Sequence, residues 1–457
     1  MFVNRTDELA QLNRWYAQPG AHIGLVWGRR RVGKTALLER FASERRVIFH
    51  TGAGRPVADE LALLSRAAAR VISAGTRDLA ERPFADWDDA LDTFAAAAKR
   101  ERLLLVLDEF PELAAASPEL PGVLRAFWDR AQSATKLRIL LCGSAVRTMH
   151  AMQEERAPLY GRFDLSLLVH PFRPHEAAEM LPRLKPADQA LVWGIVGGIP
   201  LYLSWWDQGA SVRQNLLRLA CTPGGRLLDE GQLVLASEGD LGDLGELALR
   251  AIAAGRTRHG QIEQAVRAEP GRVLDRLVEL RLIERLVPVT ERESRTRRRV
   301  YRIADNYLAF WLGVLDRHRS AIGRGLGSQV APVLARELDD HMGDRWEAAF
   351  RHHLVRLAAA GELGPEIVDV GRWWRDSPSV EIDAVALAGR ARRPVLAGEA
   401  KWARRVDARR VARDLSAKLP SLPGAPADIR LAVAAREDVA NAPDGMLAVT
   451  AADVFSA

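Results

Sequence analysis

Short apolar runs alternate with amphipathic stretches along the first part of the chain. The runs cover 23–27, 47–50, 103–107, 137–142 and 165–169. Between them, apolar residues at helical spacing predict helices near 57–74, 86–100 and 118–132. A further helix reaching Trp15 is expected to be capped by Asn4 or Thr6. Strands that are apolar throughout and separated by helices imply a parallel sheet covered on both faces. From about Asp243 the period changes. Residues 244–252, 260–266 and 272–280 read as three short helices, and 282–289 with 299–303 as two strands joined by the polar stretch 290–298. Three helices and a hairpin predict a winged helix-turn-helix. Near residue 340 a third pattern begins, with a helix over 344–354 and paired strands over 380–387 and 394–402. A helix over 407–419 and strands over 429–433 and 446–450 follow.

The strand at 23–27 runs straight into Gly28-Arg-Arg-Arg-Val-Gly-Lys-Thr35, and a helix follows from Ala36. This is G-x-x-x-x-G-K-[ST] in its required strand–loop–helix setting. Gly28 and Gly33 allow the backbone, Arg31 included, to wrap a phosphate chain. The helix start at Lys34, Thr35 and Ala36 offers free N–H groups and a positive dipole end. Lys34 would reach the β/γ-phosphates, and the Thr35 hydroxyl would sit on Mg²⁺. The reading is a nucleoside triphosphate site. A second element supports it: the run 103–107 ends in Asp108-Glu109, and ligands bind at the carboxyl ends of such strands. Asp108 is expected in the Mg²⁺ shell and Glu109 as the residue that polarises water. The run 137–142 ends in Cys142-Gly-Ser144, where Ser144 either senses the γ-phosphate or caps the next helix.

The C-terminal pattern carries its own chemistry. Glu399 and Lys401 stand two apart on a strand, so they share a face, in a stretch otherwise apolar. Asp383, in the neighbouring strand, can meet them. Asp383 and Glu399 are a pair suited to Mg²⁺ or Mn²⁺, with Lys401 beside a phosphodiester. The other reading is an inward ion pair between Lys401 and the acids.

Composition narrows the partners. The 457 residues are 48% hydrophobic and 27% charged, ordinary for a soluble protein and too long for one core. No apolar run is long enough to span a bilayer, and the opening residues, with Asp7 early and no apolar core, do not read as a secretory leader. Two cysteines, Cys142 and Cys221, support no disulfide framework. A cytoplasmic home without membrane association is expected. The net charge of +6 is mild, but arginine is clumped at 292–299 and 390–413, which points to nucleic acid, DNA foremost. Arg272, Arg276, Arg295, Arg297 and Arg298 are the candidate phosphate contacts of the winged helix. Asp275 and Glu279 on the same helix suit a protein-facing role instead.

The opening F-V-N-R-x-D-E-L, together with G-R-R-R-V-G-K-T, L-V-L-D-E-F-P, L-C-G-S, Pro158-Leu-Tyr-Gly-Arg162 and Gly197-Gly-Ile-Pro-Leu-Tyr202, resembles the archaeal and bacterial DEXX-box ATPases of AAA+ and STAND type. The resemblance spans roughly the first 240 residues. It implies a P-loop NTPase core with an added glutamate strand, followed by a helical lid, with ATP and ADP as its nucleotides. It also implies that Arg162 contacts the γ-phosphate or a neighbouring copy's nucleotide, as in a homo-oligomer, and that Pro200 presses on the adenine side. E…(I)D…E-x-K is similar to the PD-(D/E)xK restriction-endonuclease-like superfamily, although Glu381-Ile382 stands where a proline is usual. That likeness implies Glu347 as an added helix acid. The expected architecture is α/β, with an ATPase core over 1–182, a lid over 183–240 and a winged helix over 241–315. A helical linker over 316–340 and a nuclease-like domain over 341–457 complete it. The implied function is ATP-driven DNA processing with phosphodiester cleavage; the alternative is a nucleotide-dependent switch whose C-terminal domain only binds.

Overall fold

A computed structural model describes residues 2–73, 77–237, 241–364 and 366–456. It divides into two compact units, Met1–His170 and Pro171–Ala457. Among the described residues no helix is long and apolar enough to cross a membrane.

The first unit is built on five strands: β1 (His22–Trp27), β2 (Val47–Thr51), β3 (Leu103–Asp108), β4 (Leu137–Gly143) and β5 (Phe163–Leu168). All are parallel, in the order β2-β3-β4-β1-β5. The uniform apolar character of β3 and β4 has a direct cause, since every residue of both is buried. Successive residues feed opposite faces. Leu103, Leu105 and Leu107 enter one core with Leu25, Ile139 and Leu141; Leu104 and Val106 enter another with Val26, Leu140 and Leu37. The order places β4 between the strand that leads into the phosphate loop and the strand that ends in Asp108. The first helix, Thr6–Ala17, is capped by neither expected residue: its N-cap is Arg5, and Asn4 Oδ1 accepts the Arg5 N–H instead.

The second unit begins with helices Pro174–Ala178, Pro186–Val196, Pro200–Trp205, Val212–Leu219 and Arg226–Ser237. Helices Gly242–Ala253, His259–Val266 and Gly271–Glu279 follow, then an antiparallel hairpin of β6 (Ile283–Leu286) and β7 (Val300–Ile303). β6 is shorter than its apolar pattern implied, because Val289 leaves the hairpin and donates its N–H to Arg372 O at 2.9 Å. The last sheet contains β8 (Ile367–Asp376), β9 (Ser379–Ala388) and β10 (Arg393–Lys401). The short β11 (Arg405–Asp407) and β13 (Asp438–Ala440) pair with each other, while β12 (Arg430–Ala435) and β14 (Leu447–Val449) join the main sheet in the order β14-β12-β10-β9-β8. β8, β9 and β10 are antiparallel; β12 and β14 run parallel to β10. The helix Ala408–Lys418 packs on this sheet, as does the 33-residue helix Gly327–Ala359.

Three expectations differ from this picture. The segments expected as separate lid, winged helix, linker and nuclease-like domain share one continuous core running from Phe172 to Phe455. The boundary expected at 340/341 falls inside the long helix. β8 has no counterpart among the expected strands, because its residues are mostly half-buried and include Arg372, Arg375 and two acids, so no apolar alternation marks it. Close approaches hold the unit together. A Cβ at Gly198 would lie 1.8 Å from Phe172 O, and one at Gly194 would lie 2.2 Å from Met342 Sδ. Tyr301, Tyr307, Phe310 and Trp311 are buried core residues, as are Trp373 and Trp374.

Candidate functional site

The phosphate loop bends with positive φ at Gly28 (150°), Arg31 (69°) and Gly33 (90°). Gly28 also lies against the residue that follows β5, where a Cβ would sit 2.4 Å from Val169 O. The helix Lys34–Ala42 starts at once, and its first internal bond runs from Leu37 N to Gly33 O. The N–H groups of Lys34, Thr35 and Ala36 therefore stand in the first turn, where helix donors lack intrahelical partners. Lys34 is 6% exposed, and its ammonium donates to Gly28 O at 3.0 Å and Arg29 O at 2.9 Å. Burial lowers its pKa, opposed by the charges of the acids at the end of β3.

Thr35 Oγ1 donates to Asp108 Oδ2 at 2.8 Å, joining the loop to the end of β3. Asp108 is buried, and its other oxygen accepts the Glu109 N–H at 3.0 Å. This hydroxyl–carboxylate pair is the oxygen donor set a Mg²⁺ ion takes. Glu109 has φ 48° at the strand-to-helix turn, and its carboxylate receives the Ser144 hydroxyl at 2.9 Å. Ser144 does not cap the following helix, whose N-cap is Ala145. It faces Glu109 because β4 lies beside β3. Burial raises the Cys142 thiol pKa well above its usual value, and the thiol is bonded to Asp108. Arg162 forms a two-bond pair with Asp129, at 2.9 and 2.8 Å. Pro200 belongs to the second unit, where it opens its helix two residues after Gly198.

In the second unit β9 and β10 bring Asp383, Glu399 and Lys401 together. Lys401 Nζ lies 2.5 Å from Glu399 Oε2 and 3.9 Å from Asp383 Oδ2, which also accepts the Ala400 N–H at 2.9 Å. Glu347, on the long helix, is 3.5 Å from Arg351 Nη1, and that guanidinium also donates to Asp383 O at 2.6 Å. Burial, together with the charges of Glu347 and Glu399, pushes Asp383 up to about 7. Burial also raises Glu347, against the pull of Arg372 and Arg351. Glu399 is buried too, yet bonds from Lys401 and Lys418 hold it below its usual value. Two carboxylates on adjacent strands are an oxygen donor pair suited to a hard divalent cation. Among the described residues, however, no three acids, histidines or cysteines form a ligand group. Both Glu399 oxygens are bonded to lysines, so a cation would compete with an ammonium for them.

Lys418 and Arg351 were not anticipated. Lys418 had a legible signal, since it continues the buried stripe Ala408, Val411 and Leu415 of its helix. Of the arginines expected to meet DNA, Arg272, Arg295 and Arg297 are exposed, while Arg276 and Arg298 are half-buried. Arg298 pairs with Glu291 and donates to Trp374 O at 3.2 Å. Asp275 on the third helix is paired with Arg285, whose other partner is Glu293.

Residues 2–205 match a family described as an ATPase domain predominantly from Archaea, and residues 311–411 match archaeal and bacterial proteins of unknown function. An uncharacterised protein of Methanocaldococcus jannaschii is 25% identical over 429 residues, covering 92% of each chain. An uncharacterised ATP-binding protein of the same organism is 43% identical over 47 residues, 10% of this chain and 80% of that one. Among solved structures, the Walker-type ATPase of Pyrococcus abyssi aligns with a TM-score of 0.52 at 20% identity, over 68% of this chain and 96% of that one. That likeness shows the fold. With its P-loop, its β2-β3-β4-β1-β5 sheet and both family matches, the chain has a P-loop ATPase domain of the kind found predominantly in Archaea, followed by a segment shared with archaeal and bacterial proteins of unknown function.

Proposed function

We propose that this ATPase processes DNA, with nucleotide turnover in the first unit and metal-dependent phosphodiester cleavage at Asp383, Glu399 and Lys401 in the second. In the first unit, the Gly28–Lys34 loop binds the phosphates, Thr35 and Asp108 would hold Mg²⁺, and Glu109 polarises the attacking water. Ser144 fixes the Glu109 carboxylate beside the phosphate loop. Bound Mg²⁺ supplies charge against the phosphate oxygens. In the second unit, Asp383 and Glu399 would hold the cation, Lys401 would neutralise charge on the ester, and Glu347 would add a carboxylate beside Asp383.

One observation carries the cleavage reading: the acid of β9 and the acid–lysine pair of β10 meet in one cluster at Lys401. The three-helix and hairpin segment is read as a winged helix, with Arg272, Arg295 and Arg297 as its exposed cations.

The test is incubation of plasmid and linear DNA with Mg²⁺ or Mn²⁺, with and without ATP, for wild type and Glu399→Ala. Nicking by wild type but not by the variant is expected. A wild type that cuts neither DNA nor RNA leaves the second reading, a nucleotide-dependent switch whose C-terminal domain only binds. The two lysines on Glu399 favour that reading.

A further inference from the structure

The arginines of this chain divide into those already paired inside the protein and those left facing solvent. Arg392, in the turn between β9 and β10, donates to Asp369 at 2.7 Å and to Val289 O at 2.8 Å. Arg393 opens β10 and Lys401 ends it, so that turn lies eight residues, about 26 Å, from the acid–lysine cluster. The arginine stretch 404–413 is different. It leaves β10 directly after Lys401 and enters the helix Ala408–Lys418, whose last residue turns back to bond Glu399. The helix is thereby held alongside the cluster.

Within that clump, Arg404 is paired with Glu437 at 2.7 Å and Arg405 with Asp438 at 2.9 Å. Ala408, Val411 and Leu415 face the sheet. Arg409, Arg410 and Arg413 are exposed on the opposite side and form no ion pair among the described residues. Positions four apart share a helix face, so Arg409 and Arg413 stand one above the other, with Arg410 on the flank that leads through Asp414 to Lys418. Asp414 is the one acid among residues 408–418, which leaves this surface cationic.

We infer that this arginine face is a docking surface for the sugar–phosphate backbone of a polynucleotide strand, which it leads to the acid–lysine cluster. The inference rests on the cleavage reading for the role of the cluster, but the docking surface itself needs only charge complementarity, the cluster being reached around the flank of Arg410. Arginine contacts to phosphate position a strand without reading its sequence, so the surface accepts any sequence.

The experiment measures binding of the full chain to a fluorescent 20-nucleotide single strand and to the matching duplex, in EDTA, at several salt concentrations. EDTA keeps binding separate from cleavage. Each phosphate contact adds about 0.7 to 0.9 to the fall of log affinity with log salt. Arg409→Gln/Arg410→Gln/Arg413→Gln should therefore lower that slope by about 2 to 3 and weaken binding at least tenfold, with an unchanged melting temperature. The triple lysine variant, which keeps the charge, should restore the slope. A wild type that binds no DNA or RNA at low salt, or a glutamine variant with an unaltered slope, overturns the inference. So does loss of the slope on Arg272→Gln/Arg295→Gln/Arg297→Gln with none on the helix variant. Binding as expected without cleavage sinks the nuclease reading alone; cleavage with an unaltered slope sinks the docking surface alone.

Discussion

Lowering the pH from 7.5 to 4 should weaken the long helix Gly327–Ala359 through two buried histidines. His341 is 8% exposed and bonded through Nε2 to Gly194 O at 2.8 Å, and burial pushes its pKa to about 3. His353 is 7% exposed, its Nδ1 accepts from Arg356 at 3.3 Å, and burial pushes it to about 4. Both are neutral in the folded protein, whereas the unfolded chain protonates them near pH 6.5. The unfolded state then binds more protons below that pH, so stability is full above about 6.5 and falls as the pH drops toward 4. At about 1.4 kcal/mol per pH unit, each histidine costs roughly 3 kcal/mol by pH 4, and the two together roughly 6. A typical domain has about 5–15 kcal/mol in all. Hydrogen exchange, followed by mass spectrometry on peptides from 327–359 and corrected for intrinsic rates, reads this loss directly. Carboxylates contribute as well, so the comparison is with His341→Gln/His353→Asn, which keeps one donor and one acceptor in place. The variant should lose most of that 6 kcal/mol of pH dependence. An identical pH dependence, within about 1 kcal/mol, would refute the reasoning.

Further outcomes are expected at the phosphate loop, at Gly198 and at the acid–lysine cluster. Lys34→Ala should abolish retention of a fluorescent ATP analogue, while Thr35→Val should still bind nucleotide but release phosphate at least tenfold more slowly, since the side chain facing Asp108 loses its oxygen. Gly198→Ala should cost about 3 kcal/mol or more, read as a lowered melting temperature, because its Cβ would meet Phe172 backbone that cannot swing aside. Lys418→Met should bind Mn²⁺ several-fold more tightly by calorimetry, because one Glu399 oxygen loses its ammonium, and Glu399→Ala should not bind it at that site.

The phosphate loop could be read from the chain because its chemistry is local: eight consecutive residues and their two flanks contain the whole pattern. Asp108 was legible for a related reason, as the first charge after four buried leucines and a valine. Partners that depend on the chain returning from a distance were not. Arg298 has the composition of a phosphate contact, but its bond to Trp374 O comes from a strand with no apolar alternation to reveal it. The division into four C-terminal segments followed changes of period, and period says nothing about whether the apolar faces of successive segments meet one another. Here they do, in a core that runs from Phe172 to Phe455, while the last sheet and the helix Ala408–Lys418 keep a second core of their own.

The 33-residue helix Gly327–Ala359 extends about 50 Å. Its first half buries Val330, Leu334 and Leu338, and its second half carries Glu347 and buries Trp346 and Phe350 against the sheet of β9 and β10. A fragment starting at residue 341 would lose the first turns of this rod together with the helix whose Gly194 packs on Met342, baring that apolar face, so the β-sheet domain should be insoluble when excised there and sound when the cut is moved ahead of Pro171.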